Sequence, residues 1–251
     1  MESRKVFIGG NWKCNGDTNF IEQHVKFLNG ISFDENKCQV CVCPTMIHLQ
    51  HVRKILNDNI IVSSQNISMF DNGAYTGEVS GKLLKDINVH WTLIGHSERR
   101  QYFGDTEEVI GNKIKQALSN SINVIACIGE KLNEREEGKT MDVCIQQLKT
   151  IVANTSDWNN IVIAYEPVWA IGTGKTASPQ QAQDVHNEIR KWISQNVSEE
   201  VASKVRIIYG GSVTDTNCNE LILEKDIDGF LVGGASLKSG FKTIVESHTR
   251  K

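Results

Sequence analysis

Eight short apolar segments recur along the sequence of 251 residues, and this repetition constrains the fold more than any other feature. Each segment is almost continuously apolar, which is typical of parallel strands that are covered on both faces. The segments are KVFIGGNW (5–12), CQVCVCPT (38–45), NIIVSSQN (59–66), WTLIGHS (91–97), NVIACIGE (123–130), NIVIAYEP (160–167), RIIYGGS (206–212) and GFLVGGAS (229–236). The pattern therefore predicts a sheet of eight parallel strands.

Segments with helical character lie between several of these strands. They cover 106–120, 140–154 and 179–196, and the last has a strong start signal, because Ser178 precedes Pro179 as an N-cap. A brief helix is expected within 48–58. Strands and helices alternate without a linker rich in Pro, Gly or Ser. The sequence thus predicts one α/β catalytic domain over 1–251, a single (β/α)8 TIM barrel.

Composition favours an intracellular protein that acts on a small molecule. The formal net charge is −3, and the Lys and Arg residues are scattered, which argues against a nucleic-acid or membrane-surface partner. The first residues do not form a signal-peptide pattern, and no apolar run approaches the ~20 residues of a membrane helix. Seven cysteines, an odd number, fit reduced thiols. We expect a cytoplasmic protein with no nucleic-acid or membrane partner.

One cluster has the residue types of a zinc site. Cys38, Cys41 and Cys43 are followed by His48 and His51. Six residues separate Cys41 from His48, whereas a zinc finger needs roughly 12 to 15 between its cysteines and histidines. Two residues separate the histidines, whereas a zinc finger needs about three to five. The spacing favours a buried strand, and we expect neither a metal nor another cofactor.

Polar residues and glycines follow the apolar part of most strands. In a (β/α)8 barrel the carboxyl ends of the strands meet at the face that holds active sites. We therefore expect these residues to form one pocket: Asn11, Lys13, Gln65, Asn66, His96, Glu130, Glu166, Ser212, Gly233 and Gly234.

Four of these residues suit acid and base chemistry. Glu166 is flanked by aromatic residues, and a partly apolar setting favours a raised pKa and a role as general base. His96 precedes a segment where a helix opens, and the positive helix end would keep the imidazole neutral and able to donate to a carbonyl. Lys13 and Asn11 are suited to stabilise a developing oxyanion.

Glycines at the ends of the last two strands suit phosphate binding. Gly210, Gly211, Gly233 and Gly234, together with Ser212, stand where this fold often binds phosphate through backbone N–H groups. The segment GKT at 174–176 does not belong to a P-loop, because residue 169 is not the glycine that the motif requires. The residues indicate proton abstraction next to the carbonyl of a small phosphorylated molecule.

Seven motifs resemble the triosephosphate isomerase family. They are GGNWKCNG, GAYTGEVS, LIGHSERR, IACIGE, AYEPVWAIGTGKTAS, YGGSV and GFLVGGASL, in order from residue 9 to 237. The resemblance covers nearly the whole chain. It implies reversible conversion of dihydroxyacetone phosphate to D-glyceraldehyde 3-phosphate through an enediolate, a step of glycolysis and gluconeogenesis.

The resemblance also implies a role for individual residues. Glu166 is expected to move the proton and neutral His96 to polarise the carbonyl, with Lys13 and Asn11 as electrostatic partners. The phosphate contacts are expected from Gly172, Ser212, Gly233 and Gly234, with Gly172 on a lid at 167–177. Ser97, Glu98 and Cys127 match positions that support the catalytic residues.

A homodimer is implied as well. The motif GAYTGEVS resembles a loop that inserts into a second subunit, where Thr76 approaches Asn11 of the partner subunit. Cys14 is expected at the same contact. Two alternatives stay open: a glycoside-cleaving barrel that uses a carboxylate pair from Glu98, Glu130 and Glu166, and a catalytically silent barrel that serves as a binding or scaffold protein.

Overall fold

The computed structural model describes residues 4–170 and 177–251. Eight parallel strands follow one another around a closed barrel, and the first pairs with the last. The strands are β1 (Val6–Asn11), β2 (Cys38–Cys43), β3 (Ile60–Ser64), β4 (Trp91–Ile94), β5 (Asn123–Ile128), β6 (Ile161–Tyr165), β7 (Arg206–Tyr209) and β8 (Gly229–Val232). The (β/α)8 barrel predicted from the sequence is confirmed.

Helices connect the strands and cover the outside of the barrel. They are α1 (Thr18–Asn29), α2 (Leu49–Ile55), α3 (Gly81–Asp86), α4 (Ser97–Tyr102), α5 (Glu107–Ser119), α6 (Leu132–Glu136), α7 (Thr140–Ala153), α8 (Pro179–Asn196), α9 (Glu199–Lys204), α10 (Cys218–Leu221) and α11 (Phe241–Glu246). Short 3-10 turns lie at Met46–His48, Trp158–Asn160, Val168–Ala170, Gly234–Leu237 and Ser247–Arg250. The predicted start of α8 is confirmed, since the Ser178 hydroxyl accepts from the N–H of Gln181 at 3.2 Å.

The strand side chains alternate between two cores, as the period of a β-strand requires. One set packs inside the barrel: Phe7, Cys41, Cys43, Trp91, Leu93, Ile125, Cys127, Val162, Ala164, Ile208 and Leu231. The other set packs outward against the helices, as Cys38 does on β2. The run QVCVC is therefore a buried strand, as predicted.

Two negative findings hold for residues 4–170 and 177–251. No helix there is long and apolar enough to cross a membrane. No group of three or more His, Cys, Asp and Glu side chains there is arranged to hold a metal ion.

Candidate active site

A cavity of about 530 Å³ opens at the carboxyl ends of the strands. Most of the residues singled out in the sequence line it together: Asn11, Lys13, His96, Glu166, Gly210, Gly211, Ser212, Gly233 and Gly234. They come from the last residue of β1 and from the loops after β1, β4, β6, β7 and β8. Closure of the barrel is what brings together residues that lie far apart in the chain.

Glu166 directly follows β6 and is 2% exposed. Its Oε1 lies 2.9 Å from Nε2 of His96, and its Oε2 accepts from the backbone N–H of Ser97 at 3.0 Å. Both carboxylate oxygens are therefore engaged inside the cavity wall.

The pKa of Glu166 differs from the sequence expectation. Burial acts to raise the pKa of this carboxyl, but His96, the N–H of Ser97 and Lys13 act against it, and the net shift is downward. The expectation of a raised pKa is wrong, because it considered the apolar flanks and not these donors. The carboxyl is consequently ionised at neutral pH, which is the form that a base requires.

His96 lies just before α4, with 5% of its surface exposed. The backbone N–H of Glu98 donates to its Nδ1 at 3.2 Å, and only an unprotonated nitrogen accepts such a bond. Burial lowers the pKa of His96 and the Glu166 carboxylate raises it, with a net upward direction. Against this upward shift, the Glu98 contact favours the neutral ring with its proton on Nε2, toward Glu166.

Lys13 has a left-handed backbone with φ of 53°, which is uncommon for a residue other than glycine. Its N–H donates to Oδ1 of Asn11 at 3.0 Å, and Nε2 of Gln65 donates to its carbonyl at 2.7 Å. Its Nζ lies 2.6 Å from Oε1 of Glu98. Neighbouring side chains thus hold a strained backbone that directs a cation to the cavity.

The glycine-rich wall lies next to this cation. A Cβ added at Gly233 would lie 3.5 Å from Cε of Lys13, and one added at Gly234 would meet nothing within 4 Å. The backbone is therefore open to a ligand at this wall. Lys238 lines the same cavity, although no sequence pattern singles it out. Gly172, predicted to contact phosphate, lies outside the described residues.

Cys127 lies near the end of β5 inside the barrel. Burial and, next, the charge of Glu166 raise the pKa of its thiol well above the ordinary value. The carbonyl of Cys127 accepts from Nη2 of Arg100 at 3.2 Å. This residue is part of the wall behind Glu166 and does not line the cavity in the described part of the chain.

The structure corrects the expectation that Glu130 belongs to the pocket. Glu130 is completely buried, and it accepts from the Tyr165 hydroxyl at 3.0 Å and from Nε1 of Trp169 at 3.0 Å. Arg135 donates to it at 3.2 Å. Its position on the outward face of the barrel explains the error.

A second cavity of about 340 Å³ adjoins the first and shares three of its residues. Gln65 and Asn66 line this second cavity and not the first. Cys14 lies on its wall and is exposed, and Thr76 is exposed on the neighbouring loop. This face carries the two residues predicted to contact a second subunit.

Comparison with known proteins places this geometry in a family. A sequence profile of the family described as "Triosephosphate isomerase" matches residues 6–248. The chain belongs to the triosephosphate isomerase family. The chloroplastic triosephosphate isomerase of Secale cereale is 54% identical over 99% of this chain and 84% of its own length. The chloroplastic triosephosphate isomerase of Arabidopsis thaliana is 55% identical over 99% of this chain and 79% of its own length. The cytosolic triosephosphate isomerase of Oryza sativa subsp. japonica is 51% identical over 99% of this chain and 98% of its own length.

Two residues that touch the backbone of the site were missed in the sequence. Arg100 donates to the carbonyl of Gly95 at 2.7 Å, directly before His96. Gln147 bonds the backbone at Gly129. A signal for Gln147 existed, because it is a polar residue on the buried face of α7, three positions after Cys144.

Proposed function

We propose that this chain is a triosephosphate isomerase that interconverts dihydroxyacetone phosphate and D-glyceraldehyde 3-phosphate by proton transfer through an enediolate. One observation carries the proposal: the carboxylate of Glu166 meets the Nε2–H of His96 beside Lys13, in a cavity with a glycine-rich wall. Membership of the triosephosphate isomerase family supports it.

The two alternatives have weaker support. A glycoside-cleaving barrel needs a carboxylate pair across its pocket. Glu130 is instead hydrogen-bonded to Tyr165 and Trp169 outside the cavity, and Glu98 lines the second cavity and is paired with Lys13 at 2.6 Å. A silent scaffold barrel gives no reason for the engaged pair of Glu166 and His96.

Glu166 acts as the base in this proposal. Its carboxylate takes a proton from the carbon next to the carbonyl, and the electron pair moves to the carbonyl oxygen. His96 passes a proton from the hydroxyl oxygen of the enediolate to the former carbonyl oxygen, and Glu166 returns its proton to the former carbonyl carbon. The carboxylate must first turn away from the N–H of Ser97. Before it turns, the contacts of Glu166 with His96 and with the N–H of Ser97 keep the carboxyl ionised.

Three groups stabilise the oxygen on which charge develops. His96 donates through Nε2, Lys13 supplies a positive charge, and Asn11 supplies an amide at the same wall. Glu98 fixes Lys13 through the contact of 2.6 Å, and it holds the ring of His96 through its backbone N–H. The neutral ring of His96 stabilises the negative charge of the enediolate through a hydrogen bond, and it gives up its proton less readily than a protonated ring would.

Phosphate binds at the glycine-rich wall in this proposal, through backbone N–H groups near Ser212, Gly233 and Gly234. Gly172 adds a contact from a lid at 167–177. A lid has a physical purpose, because an enediolate phosphate that meets water can eliminate its phosphate group.

The finer features of the protein are part of the same proposal. One domain over 1–251 carries the activity, and two copies form a homodimer in which Thr76 and Cys14 contact the partner subunit. The exposed apolar side chains of Met46 and Phe103, which line the second cavity, support such a contact. We propose a cytoplasmic location in glycolysis and gluconeogenesis, supported by the cytosolic relative and the free thiols.

An isomerase assay with both triose phosphates tests the activity. Glu166→Gln keeps the size of the side chain and removes the base, so kcat should fall by roughly 10³-fold while substrate binding is largely kept. Glu136→Gln on α6, which changes an exposed charge, should leave kcat unchanged. A Glu166→Gln variant that turns over at the wild-type rate would show that another group is the base.

A further inference from the structure

Beyond the end of β5, the chain stays hydrogen-bonded to the chain after β6 and runs past the end of its other neighbour, β4. The carbonyl of Ile128 accepts from the N–H of Glu166 at 2.7 Å, and the carbonyl of Glu130 accepts from the N–H of Val168 at 3.1 Å. Residues 128 and 130 therefore face β6. Gly129, between them, faces the side of β4, as alternation in a parallel ladder requires. Because β4 ends at Ile94, no strand residue pairs with Gly129 in the described ranges.

A side chain from α7 takes the place of the missing strand. Oε1 of Gln147 accepts from the N–H of Gly129 at 2.7 Å, and Nε2 of Gln147 donates to the carbonyl of Gly129 at 3.3 Å. One primary amide thus satisfies both polar groups of the residue. Gln147 is 8% exposed. Breaking its two hydrogen bonds would leave buried polar groups of Gln147 and Gly129 without partners, which costs free energy, so the arrangement is held in place.

Gly129 in turn packs directly against the main chain of Glu166. A Cβ placed on Gly129 would lie 1.7 Å from the carbonyl oxygen of Glu166. Only a glycine permits this approach, and no space separates the two backbones. A displacement of Gly129 is therefore transmitted to Glu166.

We propose that Gln147 is a positioning residue for Glu166, acting through the backbone of Gly129. This inference rests on the proposed function, in which Glu166 is the base. Gln147 holds Gly129, the first residue after β5, which β4 does not reach, and so fixes where the carboxylate starts its turn. A shift of about 1 Å at a catalytic group can lower a rate by about 10²-fold.

Kinetics of three variants test the proposal. Gln147→Met keeps the length of the side chain and removes both hydrogen bonds, and kcat should fall roughly 10- to 100-fold with KM within about twofold of wild type. Gln147→Glu keeps an acceptor for the N–H of Gly129 and should give an intermediate kcat. Gln146→Met, on the exposed face of the same helix, should match wild type in both constants.

The pH profile gives a readout that a purely structural role would not change. A displaced Glu166 loses contacts with Ser97 and His96 that lower its pKa. The acid limb of kcat/KM for Gln147→Met should therefore move to higher pH, whereas the limb for Gln146→Met should stay in place.

Distinct outcomes separate the two proposals. A wild-type protein without isomerase activity would refute the proposed function, and this inference with it. An active wild type, combined with wild-type kcat and pH profile in Gln147→Met, would overturn the positioning role alone. If Gln147→Met fails to fold, Gln147→Glu becomes the test variant. A wild-type kcat in Gln147→Glu would then overturn the positioning role.

Discussion

The position of Glu166 is closely defined by its neighbours. His96 and the N–H of Ser97 hold the carboxylate, and Gly210 lies against its side chain. A Cβ on Gly210 would come within 2.9 Å of Cγ of Glu166 and 3.2 Å of the carbonyl of Tyr165. Contacts this short force a shift of the glutamate.

Gly210→Ala should therefore displace the proposed base. We expect kcat to fall roughly 10- to 100-fold while the protein stays folded, because one methyl group moves the Glu166 side chain without removing it. Steady-state isomerase assays and a thermal melt measure the two effects. Gly30→Ala at the end of α1, with φ of −88°, is the matched control and should keep wild-type kcat.

The sequence was sufficient to predict that Glu166, His96, Lys13 and Asn11 line one cavity, because strand ends of a barrel share one face. It was not sufficient for their pKa values. The lowered pKa of Glu166 depends on a distance of 2.9 Å to His96, and a distance between two loops depends on how the barrel closes.

At the scale of elements, the apolar runs predicted every strand of the barrel, and the confirmed strands are shorter than the runs. The polar ends leave the ladder to form loops. The alternation of side chains along β5 also predicts on which face of the barrel Glu130 lies. Cys127 faces the barrel interior and Ile128 faces the helices, so alternation places Glu130 outward. The same count on β6 places Glu166 inward, two residues after Ala164.

The packing of α8 on the barrel should make the stability of the protein depend on pH. His186 on α8 is completely buried, and its Nδ1 lies 3.2 Å from the carbonyl of Asp226. Burial lowers the pKa of His186 from 6.5 to about 4, against the raising effects of Asp226 and Asp228. Below pH 6.5 the unfolded chain binds a proton here that the folded chain does not bind until about pH 4.

The free energy of unfolding should consequently decrease by up to about 3 kcal/mol through His186 as pH falls across this interval. His186→Asn keeps a donor for Asp226 and removes the titration, so it should be less stable than wild type at pH 7 but show a weaker pH dependence. Denaturant unfolding at fixed protein concentration measures both. His90→Asn, at an exposed histidine, should show the wild-type slope, and an identical slope in His186→Asn would refute the assignment.

For the whole molecule, the second cavity connects the proposed active site to a surface. It shares Asn11, Lys13 and His96 with the first cavity, and its outer wall includes Met46 and Phe103. A second subunit that covers this wall would stabilise the loop of Lys13. The dimer and the activity should then be lost together. This coupling follows from the position of the two cavities and not from any single helix or strand.

Cys14 offers a direct test of this coupling. It is exposed in the single chain, whereas the other six cysteines are buried even there, and burial raises the pKa of five of those thiols. Because the thiolate is the reactive form, a bulky thiol reagent should modify Cys14 first. We expect sedimentation to show a shift from dimer to monomer, with isomerase activity falling in proportion. Cys14→Ser should resist both changes, and full activity with dimer mass after stoichiometric modification of Cys14 would contradict the proposed contact.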